Sequence, residues 1–230
     1  MPTIATDKLR VVVVDDHPMF RDRLAQIINH ELDMTVCGEA EDAQQGLATI
    51  EHTSPDLAVI DITLNGNSGL ELIKSIRAMG LKIPLLVLSM HDESLYAERS
   101  LRAGANGYIT KRQPAAEVVS AIRRILAGEV YLSEKMTAGF LRSLTSGGPG
   151  GGAAGVGKEY TQPINRLTDR ELEVLELIGL GRTTREIAAT LQLGVATVDT
   201  YRARIKEKMN FRNAVELQHF AIRWVREREG

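Results

Sequence analysis

Within the first 127 residues, five short continuous apolar runs alternate with segments of helical period, and few folds absorb that order. The runs are RVVVV (10–14), MTVCGEA (34–40), DLAVIDI (56–62), IPLLVLS (83–89) and NGYIT (106–110). Helical period falls near 19–29, 43–51, 69–79, 93–103 and 115–127. A strand without polar alternation has to be buried on both faces, so helices must cover both sides of the sheet. The pattern predicts βαβ units and an α/β fold, a doubly wound five-stranded parallel sheet. In such sheets ligands collect outside the carboxyl ends of the strands.

A different regime begins further along. The tract TSGGPGGGAAGVGKEYTQP (145–163) carries seven glycines and almost no large apolar side chain, so ordering it costs entropy without burying a core. It reads as a linker and sets the expected organisation: a first domain over 1–130, a glycine-rich linker over 131–163 and a second domain over 164–230. Charge divides at the same place. Residues 158–230 hold 13 Lys+Arg against 11 Asp+Glu, while the whole chain has a net charge of −2, so the second part is the half suited to meet a polyanion. Cys37 is the single cysteine, which excludes an intrachain disulfide, and its apolar neighbours predict a buried small hydrophobe. No apolar run has membrane-spanning length, so a cytoplasmic protein with no membrane contact is expected.

The strand ends carry the chemistry. Asp15 and Asp16 follow the first strand, Asp61 closes the third, Ser89 closes the fourth and Lys111 follows the fifth. Any one strand-end aspartate can be a turn or cap residue, but five polar groups at one sheet edge form a set. Three converging carboxylates repel one another unless a hard divalent cation joins them, and Mg²⁺ suits such oxygen ligands. A carboxylate nucleophile, an ammonium and a hydroxyl donor are what an acyl phosphate requires, so phosphoryl transfer onto Asp61 is the predicted chemistry. For Tyr108, packing in the core and a functional role are equally open from spacing alone.

With these motifs, VVVVDDHPMF, DLAVIDITLNGNSGLEL, VLSMHD and AGANGYITK, residues 9–128 resemble the flavodoxin-like receiver domain of bacterial two-component response regulators. The resemblance implies that Asp61 is the phosphoacceptor and that Asp15, Asp16, Asp61 and the backbone carbonyl of Thr63 hold Mg²⁺. It implies that Ser89 and Lys111 bind the phosphoryl group, that Tyr108 swings inward on activation, and that a sensor histidine kinase is the donor. Asn65 stands where the family usually has proline, and Thr63 and His91 occupy positions that tune dephosphorylation.

Beyond the tract, TDRE (168–171), TTRE (183–186) and NAVE (213–216) each place a capping side chain three residues before glutamate, which marks three helix starts. Gly181 stops the first helix, and a short turn ending at Gly194 joins the second to a further helix running to about Met209. Two helices joined by a glycine-containing turn predict a helix-turn-helix within a separate all-α, four-helix domain. In its second helix Val198, Tyr201, Ile205 and Met209 form an apolar stripe, leaving Thr197, Asp199, Thr200 and Ala203 on other faces with Arg202, Arg204, Lys206 and Arg212 nearby. Residues 167–217 resemble the LuxR-type helix-turn-helix, and receiver plus this motif resembles a NarL/FixJ-type response regulator.

That resemblance implies a transcription regulator, not a turnover enzyme, that binds the DNA major groove through Thr197, Asp199, Thr200, Arg202, Ala203, Arg204, Lys206 and Arg212. It also implies a homodimer on activation, with a dimer contact on the C-terminal helix. Gly194 replaces a usual capping serine, Tyr201 a usual histidine, and Asp199 a frequent lysine or glutamate. Two other readings are open. A phosphatase of the haloacid dehalogenase type expects a second aspartate two residues after the nucleophile, where Thr63 stands. A phosphorylation-independent transcription factor would use the receiver as a scaffold.

Overall fold

The computed structural model describes residues 8–64, 68–90, 93–133, 136–137, 164 and 166–229; Asn65, His91 and the tract at 145–163 lie outside them. The chain forms two compact units, 1–137 and 138–230.

In the first unit, strands and helices alternate: β1 (Leu9–Val14), α1 (Pro18–His30), β2 (Met34–Ala40), α2 (Ala43–Thr53), β3 (Leu57–Asp61), α3 (Gly69–Ala78), β4 (Leu85–Ser89), α4 (Glu93–Ala103), β5 (Gly107–Thr110) and α5 (Ala115–Leu126). The strands are parallel in the order β2-β1-β3-β4-β5. The order reverses direction between β1 and β3, so the crevice at the carboxyl ends opens beside Asp15 and Asp61. Val11–Val14, Leu57–Ile60 and Leu85–Leu88 are almost fully buried, as unbroken apolar strands require. On α5, Val118, Val119, Ile122 and Ile125 face that sheet, and each large apolar side chain contributes about 1.5–3 kcal/mol by leaving water.

Both outer strands depart from regularity. Along β1 and β2 the register passes from Val11↔Val36 to Val12↔Gly38, leaving Cys37 as the extra residue of a bulge. Cys37 is therefore only half-buried, not the buried hydrophobe its neighbours suggested. At β5, the chain leaving α5 returns along the strand. Tyr131 N–H donates to the Asn106 carbonyl at 3.0 Å and the Tyr131 carbonyl accepts from Tyr108 N–H at 2.9 Å. Its ring joins the core and its hydroxyl donates to Glu117 at 2.7 Å. Residue 131, assigned by sequence to the linker side of the boundary, thus packs with the first unit.

Among the described residues the second unit holds helices α6 (Asp169–Gly179), α7 (Thr184–Thr190), α8 (Val195–Met209) and α9 (Ala214–Glu229). Thr168 and Thr183 form complete capping boxes with Glu171 and Glu186. The third start differs: Asn213 accepts from Glu216 N–H, but the Glu216 carboxylate takes the N–H of Arg212 instead of that of Asn213. Gly181 at φ 78° ends α6 and Asn210 at φ 57° ends α8. Leu172, Leu175, Ile187, Val198, Ile205, Leu217 and Phe220 are buried in this unit. Among the described residues no helix is long and apolar enough to cross a membrane.

Candidate functional site

The acidic cluster is assembled from two strand ends. Asp15 is positioned by its own N–H bonding the Ala40 carbonyl at 3.0 Å and by Arg21 donating to its carbonyl at 2.6 Å. Asp61 is the last residue of β3, and its Oδ1 accepts from Thr63 N–H at 3.2 Å. The turn after β3 is pinned by Gly69 N–H on the Ile62 carbonyl at 2.6 Å. Gly69 has to be glycine there, because a Cβ would overlap the backbone carbonyl of Asp61.

Lys111 closes the set. Its Nζ lies 2.6 Å from Asp15 Oδ2 and 2.7 Å from Asp61 Oδ2, with all three side chains almost fully buried. The Phe20 ring sits 4.4 Å from the same ammonium. His17 stands at the rim, its Nδ1 2.7 Å from Asp16 Oδ1 and 3.3 Å from Asp15 Oδ1. Burial raises the Asp61 carboxyl from its ordinary 3.8 to about 7, with Asp15 adding to the rise and Lys111 opposing it. Asp16 is also raised, by burial above all and then by Asp15, against His17. At Lys111 burial works to lower the value, and Asp61 and Asp15 together outweigh it and raise it.

Ligand atoms of Asp15, Asp16, His17 and Asp61 all fall within 4.8 Å of one another. These residues fit a hard cation. Asp15 Oδ2 and Asp16 Oδ1 are buried without a well-aligned hydrogen bond, although the Lys111 and His17 nitrogens are only 2.6 and 2.7 Å away. Ser89 is fully buried at the end of β4, in register with Thr110, and its carbonyl accepts from Lys111 N–H. Tyr108 is fully buried on β5. Sequence reasoning misses His17 and Phe20 as parts of the site. His17 has a visible signal, an imidazole directly after two strand-end acids; Phe20 has none beyond its place in the first turn of α1.

In the second unit Val198, Ile205 and Met209 are buried while Tyr201 is half-buried, so the predicted stripe packs as expected. Thr197, Asp199, Thr200, Ala203, Arg204 and Arg212 are exposed, and Arg202 and Lys206 are half-exposed. Lys208 points away from that surface. Its Nζ donates to the buried Glu171 carboxylate at 2.7 Å, tying α8 to the start of α6.

Residues 11–123 match the response regulator receiver domain, and residues 165–221 match the luxR family of bacterial regulatory proteins. The oxygen regulatory protein NreC of Staphylococcus carnosus (strain TM300) is 31% identical over 216 residues, 94% of this chain and 97% of that one. This chain belongs to the two-component response regulators. Among solved structures, a LuxR-family response regulator from Aurantimonas sp. SI85-9A1 is similar at 34% identity and a TM-score of 0.56, covering 60% of this chain and 99% of that one. RcsB from Salmonella enterica serovar Typhimurium, solved on promoter DNA, shares the fold at 19% identity and a TM-score of 0.58, covering 97% and 100% of the two chains. A response regulator of this type is a phosphorylation-regulated transcription factor, with a receiver followed by a LuxR-type DNA-binding domain. Receiver domains bind Mg²⁺ at an acidic pocket, and the cluster around Asp61 is the pocket of that chemistry among the described residues.

Proposed function

We propose that Asp61 is the phosphoacceptor of this response regulator and that the phosphorylated chain regulates transcription as a DNA-bound dimer. The donor is the phosphohistidine of a sensor kinase. The N–P bond breaks, an O–P bond forms to a carboxylate oxygen of Asp61, and the departing imidazole nitrogen keeps the electron pair and takes up a proton. Lys111, already between Asp15 and Asp61, pairs with the phosphoryl oxygens, and the Ser89 hydroxyl donates to one of them. Asp15, Asp16, Asp61 and the Thr63 carbonyl hold Mg²⁺, which supplies positive charge as the phosphoryl group arrives. The chain acts as a stoichiometric acceptor, not a turnover enzyme, and works in the cytoplasm.

Tyr108, on the strand between the pocket and Tyr131, is the switch residue. The DNA-binding part occupies 164–230, joined through the glycine-rich tract to the receiver. Its α8 enters the major groove with Thr197, Asp199, Thr200 and Ala203 toward base edges and Arg202, Arg204, Lys206 and Arg212 toward phosphates. Two copies on a two-fold operator multiply the contacts of one small module.

One observation carries this reading: Asp61, at the end of β3, is buried against the Lys111 ammonium at 2.7 Å, with Asp15 sharing that ammonium and Asp16 beside it. Labelled acetyl phosphate with Mg²⁺ tests it. Stable label is expected on the wild type and none on Asp61→Ala. Beryllofluoride with Mg²⁺ is expected to tighten duplex binding only where Asp61 is present. Equal binding in every condition would make the receiver a scaffold.

A further inference from the structure

The orientation of α8 about its own axis is fixed twice over. Val198, Ile205 and Met209 bury one side, and the Lys208–Glu171 ion pair at 2.7 Å holds the far end. The opposite side is therefore a defined surface, with Ala196, Thr197, Asp199, Thr200, Ala203 and Arg204 all exposed. Most of that surface is chemically quiet. Ala196 and Ala203 offer methyl groups, and the Thr200 hydroxyl donates its proton to the Ala196 carbonyl at 2.9 Å.

The exceptions are the cation Arg204, suited to a phosphate, and the anion Asp199. Asp199 is exposed on the helix that carries Arg202, Arg204 and Lys206, in a unit that has to approach a polyanion. Arg202 stands three residues away, at the spacing of a helical ion pair, yet Asp199 is in no ion pair among the described residues. The carboxylate is neither neutralised nor capped by its own helix.

From this we infer that Asp199 is the specificity-determining residue of the DNA site and that it reads a cytosine; the inference rests on the proposed placement of α8 in the major groove. A carboxylate offers acceptors only. In the major groove guanine presents N7 and O6, and thymine presents O4, all acceptors that repel it. Adenine places its N6 donor next to the N7 acceptor, so attraction and repulsion come together. Cytosine N4–H₂ is the one donor without an adjacent acceptor on its own base edge. Asp199 thus lowers affinity for every other base and for non-specific sequence, where it only repels phosphate, and recovers the loss at one base pair.

The test is selection from random duplexes at one fixed salt concentration, using the full chain with beryllofluoride and Mg²⁺, for the wild type, Asp199→Asn and Asp199→Ala. The wild type is expected to select one cytosine per half-site whose replacement weakens binding roughly tenfold. Asp199→Asn moves that position alone to adenine, because an amide pairs with N6 and N7 together. Asp199→Ala loses the preference there and tightens non-specific binding. Identical selected sites for all three proteins, with Asp199→Ala merely tighter on everything, would overturn the inference while leaving the placement of α8 intact. If no protein selects any sequence, the DNA placement itself falls, and the inference with it.

Discussion

At the scale of single residues, the acidic cluster is held together at a cost that can be measured. Because burial raises Asp61 to about 7 in the folded chain, the folded state keeps a proton that the unfolded chain has released. Stability of the metal-free protein therefore falls as pH rises from about 4 to about 7. Asp61→Asn removes most of that slope and raises the melting temperature at pH 8 by several degrees, corresponding to about 1 kcal/mol or more. Calorimetry across pH, without divalent cations, is the measurement; an unchanged slope would mean that Asp61 is ionised throughout. Added Mg²⁺ should narrow the gap between the two proteins, since a ligand at ten times its dissociation constant stabilises the wild type by about 1.4 kcal/mol and has less to bind in the variant.

Lys111 and Asp61 are legible as strand-end residues because the sheet fixes where strand ends go. The contact of the Lys111 ammonium with Phe20 is not, since it joins the start of α1 to the end of β5 across residues that share no sequence period.

Elements show a similar division between what is local and what is not. Helix starts are readable because a capping side chain and its glutamate lie three residues apart, and Thr168 and Thr183 form their boxes as read. Thr183→Ala should destabilise the output unit by about 1 kcal/mol in a denaturant titration. What α6 and α8 do to each other is not readable, because Lys208 looks like one more member of the basic run from Arg202 to Arg212 until Glu171 is placed beside it. Lys208→Met leaves a buried carboxylate without its cation and should cost about 1–3 kcal/mol, against little for Arg204→Met, in the same titration.

Arg77 binds elements together in the receiver without a carboxylate. Its guanidinium donates to the carbonyls of Leu81, Ile83 and Gly104, joining the ends of α3 and α4 to the start of β4. Burial lowers its pKa, as expected for a cation met only by neutral oxygens.

For the whole molecule, the division into two units places phosphorylation chemistry in one and polyanion binding in the other, with net charge split to match. Binding should then weaken with salt according to the phosphates neutralised, about 0.9 in log–log slope for each. Arg204→Ala should reduce that slope by about 1 per half-site and weaken all sequences alike, unlike substitution of Asp199. A salt titration on one duplex distinguishes the two.

The sheet itself limits how copies can meet. One outer strand, β2, is interrupted by the bulge at Cys37, and the other, β5, already has part of its open edge occupied by Tyr131 of the same chain. Neither presents the long regular row of free amides and carbonyls that recruits a foreign strand. Growth by adding strand to strand, the route to fibrils, is blocked at the receiver from both sides, and self-association is left to helical surfaces.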